Sequence, residues 1–408
     1  MNLSLHDPVV ITADYPSKLT TSLSYGHSCA LAISPCGHYI ASGLLDGTVL
    51  IIDSWTHNVI SILRGHQRPV IGLKWIYSES QNLKASLVSW AKDWKVIRWC
   101  LDTQDPLSIN KYVGGVNSVE VIEINCEIKS DNDWLTLVCA NDGLHIIKDG
   151  ESKLVEDNSD EENRGSGNLI HSKSFESFII VGTSKGWICI IDPFKGVILK
   201  WIKVCTGLKG FDLMEDRIVV NSSDRVIRQY NIQQWKSLPI EQWSLKLEHK
   251  YQDVVNQVQW YTVKIDSTGE YLCATTQSSG GSNHDLYIWE TGMGSLVQIL
   301  EGPQEELFDV DWCGRRCEII ANGYDTGTIY LWGVQIDPKW SALAPDFEEI
   351  EQNVQYQEKE DEFDFLGEVE KGEVEDDEMI VVDVKNRELK DARGYKFIKG
   401  VKINVDLS

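Results

Sequence analysis

Seven short stretches of this chain close in the same way: "DGTVLIID", "DWKVIRWC", "NDGLHIIKD", "KGWICIID", "DRVIRQYN", "HDLYIWE" and "TGTIYLWG". A repeat constrains the fold more than any single motif, because each unit leaves an apolar face that only its neighbour can cover. Taking Ile52, Trp99, Ile147, Ile191, Tyr230, Trp289 and Trp332 as equivalent, the intervals are 47, 48, 44, 39, 59 and 43 residues. Units of about 40–45 residues built from short strands suit the blades of a β-propeller. The clearest unit, "CALAISPCGHYIASGLLDGTVLIID" before "RGHQRPVIGLKW", reads as strands over 29–33, 39–42 and 49–53, with turns at Ser34-Pro35-Cys36-Gly37 and Asp46-Gly47. The expectation is an all-β, seven-bladed propeller over residues 1–338. The 59-residue interval is expected to hold a loop insertion around "SSGGSNH". The N-terminal "NLSL" is expected to supply an outer strand to the last blade, which removes the open sheet edge. Blades three to five depart most from the pattern.

Composition narrows the chemistry. No run of about 18 apolar residues is present, so no membrane span is expected, and the N-terminus lacks the plan of a secretory signal. The ten cysteines are scattered without a CxxC pair, which fits buried thiols in a reducing compartment. Cys313 and Cys317 have no histidine at ligand spacing, so no metal site is expected. Asp46, Asp93, Asp142 and Asp224 occupy the turns before the repeated strand, and a partner such as His66 invites an acid–base reading. The units resemble WD repeats, however, in which such residues brace each blade through a buried hydrogen-bond network. Phosphate-binding loops, dinucleotide fingerprints and nucleophile elbows are absent. No catalytic residue and no cofactor are assigned, and the chain is not expected to be an enzyme.

The formal charge of −24 is unevenly spread. From Asp346 to Glu378 sixteen Asp/Glu face two Lys, a net of −14, which leaves −10 for the other 375 residues. Within this acidic stretch, "APDFEEIEQNV" spaces Ala344, Phe347, Ile350 and Val354 by 3, 3 and 4 residues. "QYQEKEDEFDFL" sets Tyr356, Phe363, Phe365 and Leu366 among carboxylates, and "EDDEMIVVDV" places a β-prone run behind acids. Such a segment cannot bury enough apolar surface to fold alone, and its anchors suit pockets on partners.

The propeller pattern followed by "WSALAPDFEEIEQNVQYQEKEDEFD" resembles the retinoblastoma-binding protein five family and its fungal Swd-one counterpart in COMPASS, the histone H3 lysine-four methyltransferase. "MNL", "SDRVIR", "LYIWE" and "LVQIL" carry the same likeness, which extends over roughly residues 1–384. The resemblance implies a nuclear scaffold and activator whose tail segments, over 339–366 and 367–385, meet different subunits. Trp340, Asp346, Phe347, Glu348, Glu349, Ile350 and Asn353 would contact the SET-domain methyltransferase subunit. Tyr356, Glu358, Glu360, Asp361, Glu362 and Phe363 would bind the SPRY-domain subunit, where carboxylates suit bidentate arginines. Glu378, Met379, Ile380, Val381, Val382 and Val384 would dock on a second WD-repeat subunit, with Met379 and Ile380 replacing a more regular acid–valine alternation. S-adenosylmethionine and zinc would belong to the SET subunit. The family also touches nucleosomal DNA, for which Arg225 and Arg228 are the candidates here. Asn256-Gln257, Asn283-His284 and Pro303-Gln304 stand where further basic residues are expected.

Residues 386–408 form a less acidic extension with apolar alternation in "FIKGVKINV". An added strand and a partner contact both fit that alternation. Two other functions fit the fold: a generic WD-repeat adaptor, such as a ubiquitin-ligase substrate receptor with a merely solubilising tail, and a propeller enzyme with a site in the channel.

Overall fold

The computed structural model describes residues 14–334, apart from the stretches 77–85, 124–133, 149–150, 156–166 and 278–283 and a few single positions, together with Ile403. Among the described residues, twenty-eight strands form seven four-stranded antiparallel sheets. In six sheets the strands follow in chain order, so each blade is a simple meander. The first strand of each blade lies beside the first strand of the next, and the last returns to the first, which makes these strands the wall of a central channel. Blade one comprises Ser28–Ile33, Tyr39–Leu44, Thr48–Asp53 and Val59–Arg64. The seven residues taken as equivalent all fall on third strands, so the repeat count from sequence equals the blade count.

Strand alternation is what stacks the blades. In blade one Ala30, Ala41, Val49 and Ile51 face Val70, Leu87, Ile97 and Trp99 of blade two, all of them buried. Each of the valines, leucines and isoleucines contributes about 1.5–3 kcal/mol through burial, and comparable clusters join the other blades. The upper face carries the turns between second and third strands. There Gly47 has φ 92°, and a Cβ at that position would lie 2.6 Å from the His66 carbonyl oxygen, so the turn admits only glycine without moving backbone.

Two details differ from expectation. The strand that closes the ring is Lys18–Leu23, paired with Ile329–Gly333 of blade seven; "NLSL" lies outside the described residues. Part of the 59-residue interval lies in the connection leaving the third strand of blade five; "SSGGSNH", but for His284, lies outside the described residues. Two 3-10 turns lie in that connection: Gln233–Lys236 carries Trp235, and Trp243 caps the C-terminal end of Ile240–Gln242. The two indoles stack at 4.8 Å and 6° and are buried, because a connection that can bury two tryptophans gains a small core of its own.

Candidate functional site

The four turn aspartates stand at equivalent places and make different bonds. In blade two His66 places Nδ1 3.1 Å from Asp93 and Nε2 2.8 Å from the Ser89 hydroxyl, which also accepts the Trp99 indole N–H at 2.8 Å. This is the order of a Ser–His–Asp triad, but the Ser89 and His66 side chains are buried and Trp99 occupies the hydroxyl. Burial holds the His66 pKa below its ordinary value against the pull of Asp93. The set is a brace between blades one and two, with no room for a substrate. Asp46 accepts from its own turn at Thr48, Asp142 pairs with His145 at 3.2 Å, and Asp224 pairs with Arg228. In blade seven the buried Glu305 accepts from the amides of Asp325 and Thr326 and from the Tyr330 hydroxyl. Glu305 was not singled out in the sequence, because it precedes its strand by two residues instead of lying in the turn.

Arg225 and Arg228 flank the upper turn of blade five and part company. Arg228 lies over Asp224 with both terminal nitrogens and also donates to Ser222. Its hydrogen bonds hold the Asp224 carboxyl at about 2. Arg228 therefore stabilises the turn. Arg225 is exposed and adopts φ 68°, at the place where blades one, four and seven put Gly47, Gly186 and Gly327. Blade two puts Trp94 there, at φ 63° and 46% exposed. Left-handed backbone costs a non-glycine residue about 1–2 kcal/mol. Two large side chains are thus displayed on the upper face against that cost.

Along the channel wall, equivalent positions of the inner strands read Ala32, Lys74, Glu120, Lys173, Asp212, Lys264 and Asp311, each opposite the middle of its second strand. Lys74 meets Glu120 at 2.6 Å, Lys173 meets Asp212 at 2.7 Å, and Lys264 meets Asp311 at 3.5 Å. The carboxylates also cap backbone of the following blade. Asp212 accepts the Ile265 amide at 3.0 Å, Asp311 the Ile33 amide at 2.7 Å, and Asp309 the Leu31 amide at 3.0 Å. Inner strands expose one row of unpaired amides, and this girdle satisfies part of it. Burial opposes the Asp212 charge, but Lys173 and Lys264 outweigh it and hold the carboxyl at about 2. Burial pushes His171, on the same wall, down to about 4, with help from the two lysines. An odd ring cannot alternate sign throughout, and the break falls at Ala32, where Asp311 turns to backbone instead. At that seam Arg316 lies 4.1 Å over the Trp55 ring and the Asn322 amide donates to the Ser28 carbonyl at 3.0 Å.

Comparison with known proteins fits this geometry to a lineage. A family model described as "WD domain, G-beta repeat" matches residues 17–53. The COMPASS component SWD1 of Saccharomyces cerevisiae is 35% identical over 98% of this chain and 96% of its own length. The Set1 complex component swd1 of Schizosaccharomyces pombe is 38% identical over 92% of this chain and 93% of its own. The chain belongs to the SWD1 family. The retinoblastoma-binding protein 5 homolog of Drosophila melanogaster is similar at 30% identity over 95% of the chain. A crystal structure of the Myceliophteria thermophila Cps50 (Swd1) beta-propeller domain superposes with a TM-score of 0.67 and 29% identity, covering 78% of this chain and all of that one. The SWD1-family residues assigned to subunit contacts, Trp340 to Val384, lie outside the described residues. Cys313 and Cys317 are both buried, and burial pushes the Cys313 thiol up to about 11, so it stays protonated at neutral pH.

Proposed function

We propose that this chain is the non-catalytic scaffold and activator subunit of a nuclear COMPASS-type histone H3 lysine-four methyltransferase complex. The observation that carries the reading is the reach of the similarity. Among the described residues the last strand ends at Gly333 of 408, so a match covering 98% of the chain runs through the acidic tail as well. On this reading the propeller is a rigid mount and the tail supplies the contacts. Trp340, Asp346 to Ile350 and Asn353 bind the SET-domain subunit, while Tyr356, Glu358 and Glu360 to Phe363 bind the SPRY-domain subunit. Glu378 to Val382 and Val384 bind a second WD-repeat subunit. Holding a mobile SET domain in its competent arrangement raises the populated fraction of that state, and the scaffold need not touch the reacting atoms.

The upper face is proposed to approach nucleosomal DNA through Arg225, with Arg228 and Asp224 fixing the turn that presents it. Reconstitution tests the central claim. Deleting residues 340–364 is expected to abolish stimulation of the SET subunit while the propeller keeps its cooperative melt; undiminished methyl transfer would refute it. Phe347→Ala with Ile350→Ala is expected to lower turnover more than assembly.

A further inference from the structure

Ile403 is the single described residue beyond Val334, and it does not stand in solvent. It is half-buried against the cluster between blades one and two that contains Ala32, Cys36, Leu73, Trp75 and Leu101, with Tyr39 at its margin. Ile398–Ser408 also group with Asp14–Val334 in one compact unit, while Gln335–Phe397 fall in another. The sequence around Ile403 suits a docked segment. Val401, Ile403, Val405 and Leu407 alternate with Lys402, Asn404 and Asp406, so one face of an extended chain would be apolar.

The two described ends lie near each other around the ring. The propeller's last strand ends at Gly333, opposite Lys18. Blades seven and one then meet on the lower face, where a Cβ on Gly37 would come within 3.0 Å of the Cys313 sulfur. Val334 thus follows the last strand of blade seven, and Ile403 packs one or two blades further round.

We propose that residues 398–408 form an intramolecular latch seated by Ile403 between blades one and two, so that residues 335–397 are a loop tied to the propeller at both ends. Tying both ends restricts reach and keeps the tail's local concentration high at the propeller. The latch stands apart from the functional reading; only its bearing on activation rests on the tail's binding partners.

The test uses the full chain with the photo-reactive residue p-benzoylphenylalanine in place of Ile403, prepared as an equal mixture of light and isotope-labelled protein. Irradiation is expected to join position 403 to peptides of blades one and two within one chain. Crosslinks elsewhere, or only between light and heavy chains, would overturn the proposal. In parallel, Ile403→Lys should lower the melting midpoint by about 2 °C, whereas Ile403→Val should not. An unchanged midpoint for the lysine variant would also overturn it. Neither readout involves methyl transfer, so the latch and the scaffold reading fail separately.

Discussion

Arg225 carries more information than its charge. Two arginines three residues apart read alike in "SDRVIRQYN", and only the backbone separates them: one is bound to Asp224 and the other is held at φ 68°. Substituting Arg225→Gly is expected to stabilise the propeller by about 1 kcal/mol, read by denaturant titration, because glycine adopts that conformation freely. The same change is expected to weaken binding to duplex DNA and to reduce the salt slope by about one, as loss of a single phosphate contact would. Gaining stability while losing binding is the signature of a strained residue kept for an interaction. A variant that loses neither stability nor affinity would remove Arg225 from the proposed DNA surface. Arg228→Ala should behave oppositely and destabilise the turn.

At the scale of strands, the channel girdle was readable only by stacking the repeats. Along the chain each member is one polar residue in an apolar strand; "GLKW", "SVEV", "HSKS", "GFDL", "TVKI" and "DVDW" line up only after the blades are set in register. Glu120 is 2% exposed and pairs with Lys74. Lys74→Met is therefore expected to cost about 3–5 kcal/mol by leaving a buried charge alone, while Lys74→Met with Glu120→Leu should recover most of it. Chemical denaturation of the single and double variants measures both. The Asp212 carboxyl is lowered from 3.8 to about 2 in the folded chain. Its contribution is thus complete above about pH 4 and is lost as the pH falls towards 2. The stability difference between the parent and Asp212→Asn should shrink by about 2 kcal/mol over that window. A flat difference would refute the assignment. The connection leaving the third strand of blade five was not singled out in the sequence, because its two tryptophans show their role only once they stack on each other.

At the scale of the molecule, seven blades were legible because the interval between similar strands is a property of the whole array and survives the decay of individual blades. The closing strand was not legible, since "KLTTSL" faces solvent along most of its length and lacks the alternation of a half-buried strand. Truncating residues 1–23 is expected to bare the edge of Ile329–Gly333 and to produce concentration-dependent oligomers, detected by light scattering, together with a lower melting midpoint. The tail's proposed partner motifs were visible as anchors among carboxylates, but which partner each anchor would serve depends on surfaces that belong to other chains.

Ring closure has a consequence in time. The Thr20 hydroxyl bonds the Leu331 carbonyl across 311 residues of chain. On the ribosome, at about 5–20 residues per second, the first strand emerges roughly 15–60 s before the strand it must pair with. Throughout that interval the nascent protein is an open stack of blades with one bare edge at each end. The final blade is assembled from the two extremes of the propeller, so it acts as a completion check: no partly made chain can present a closed ring to a partner.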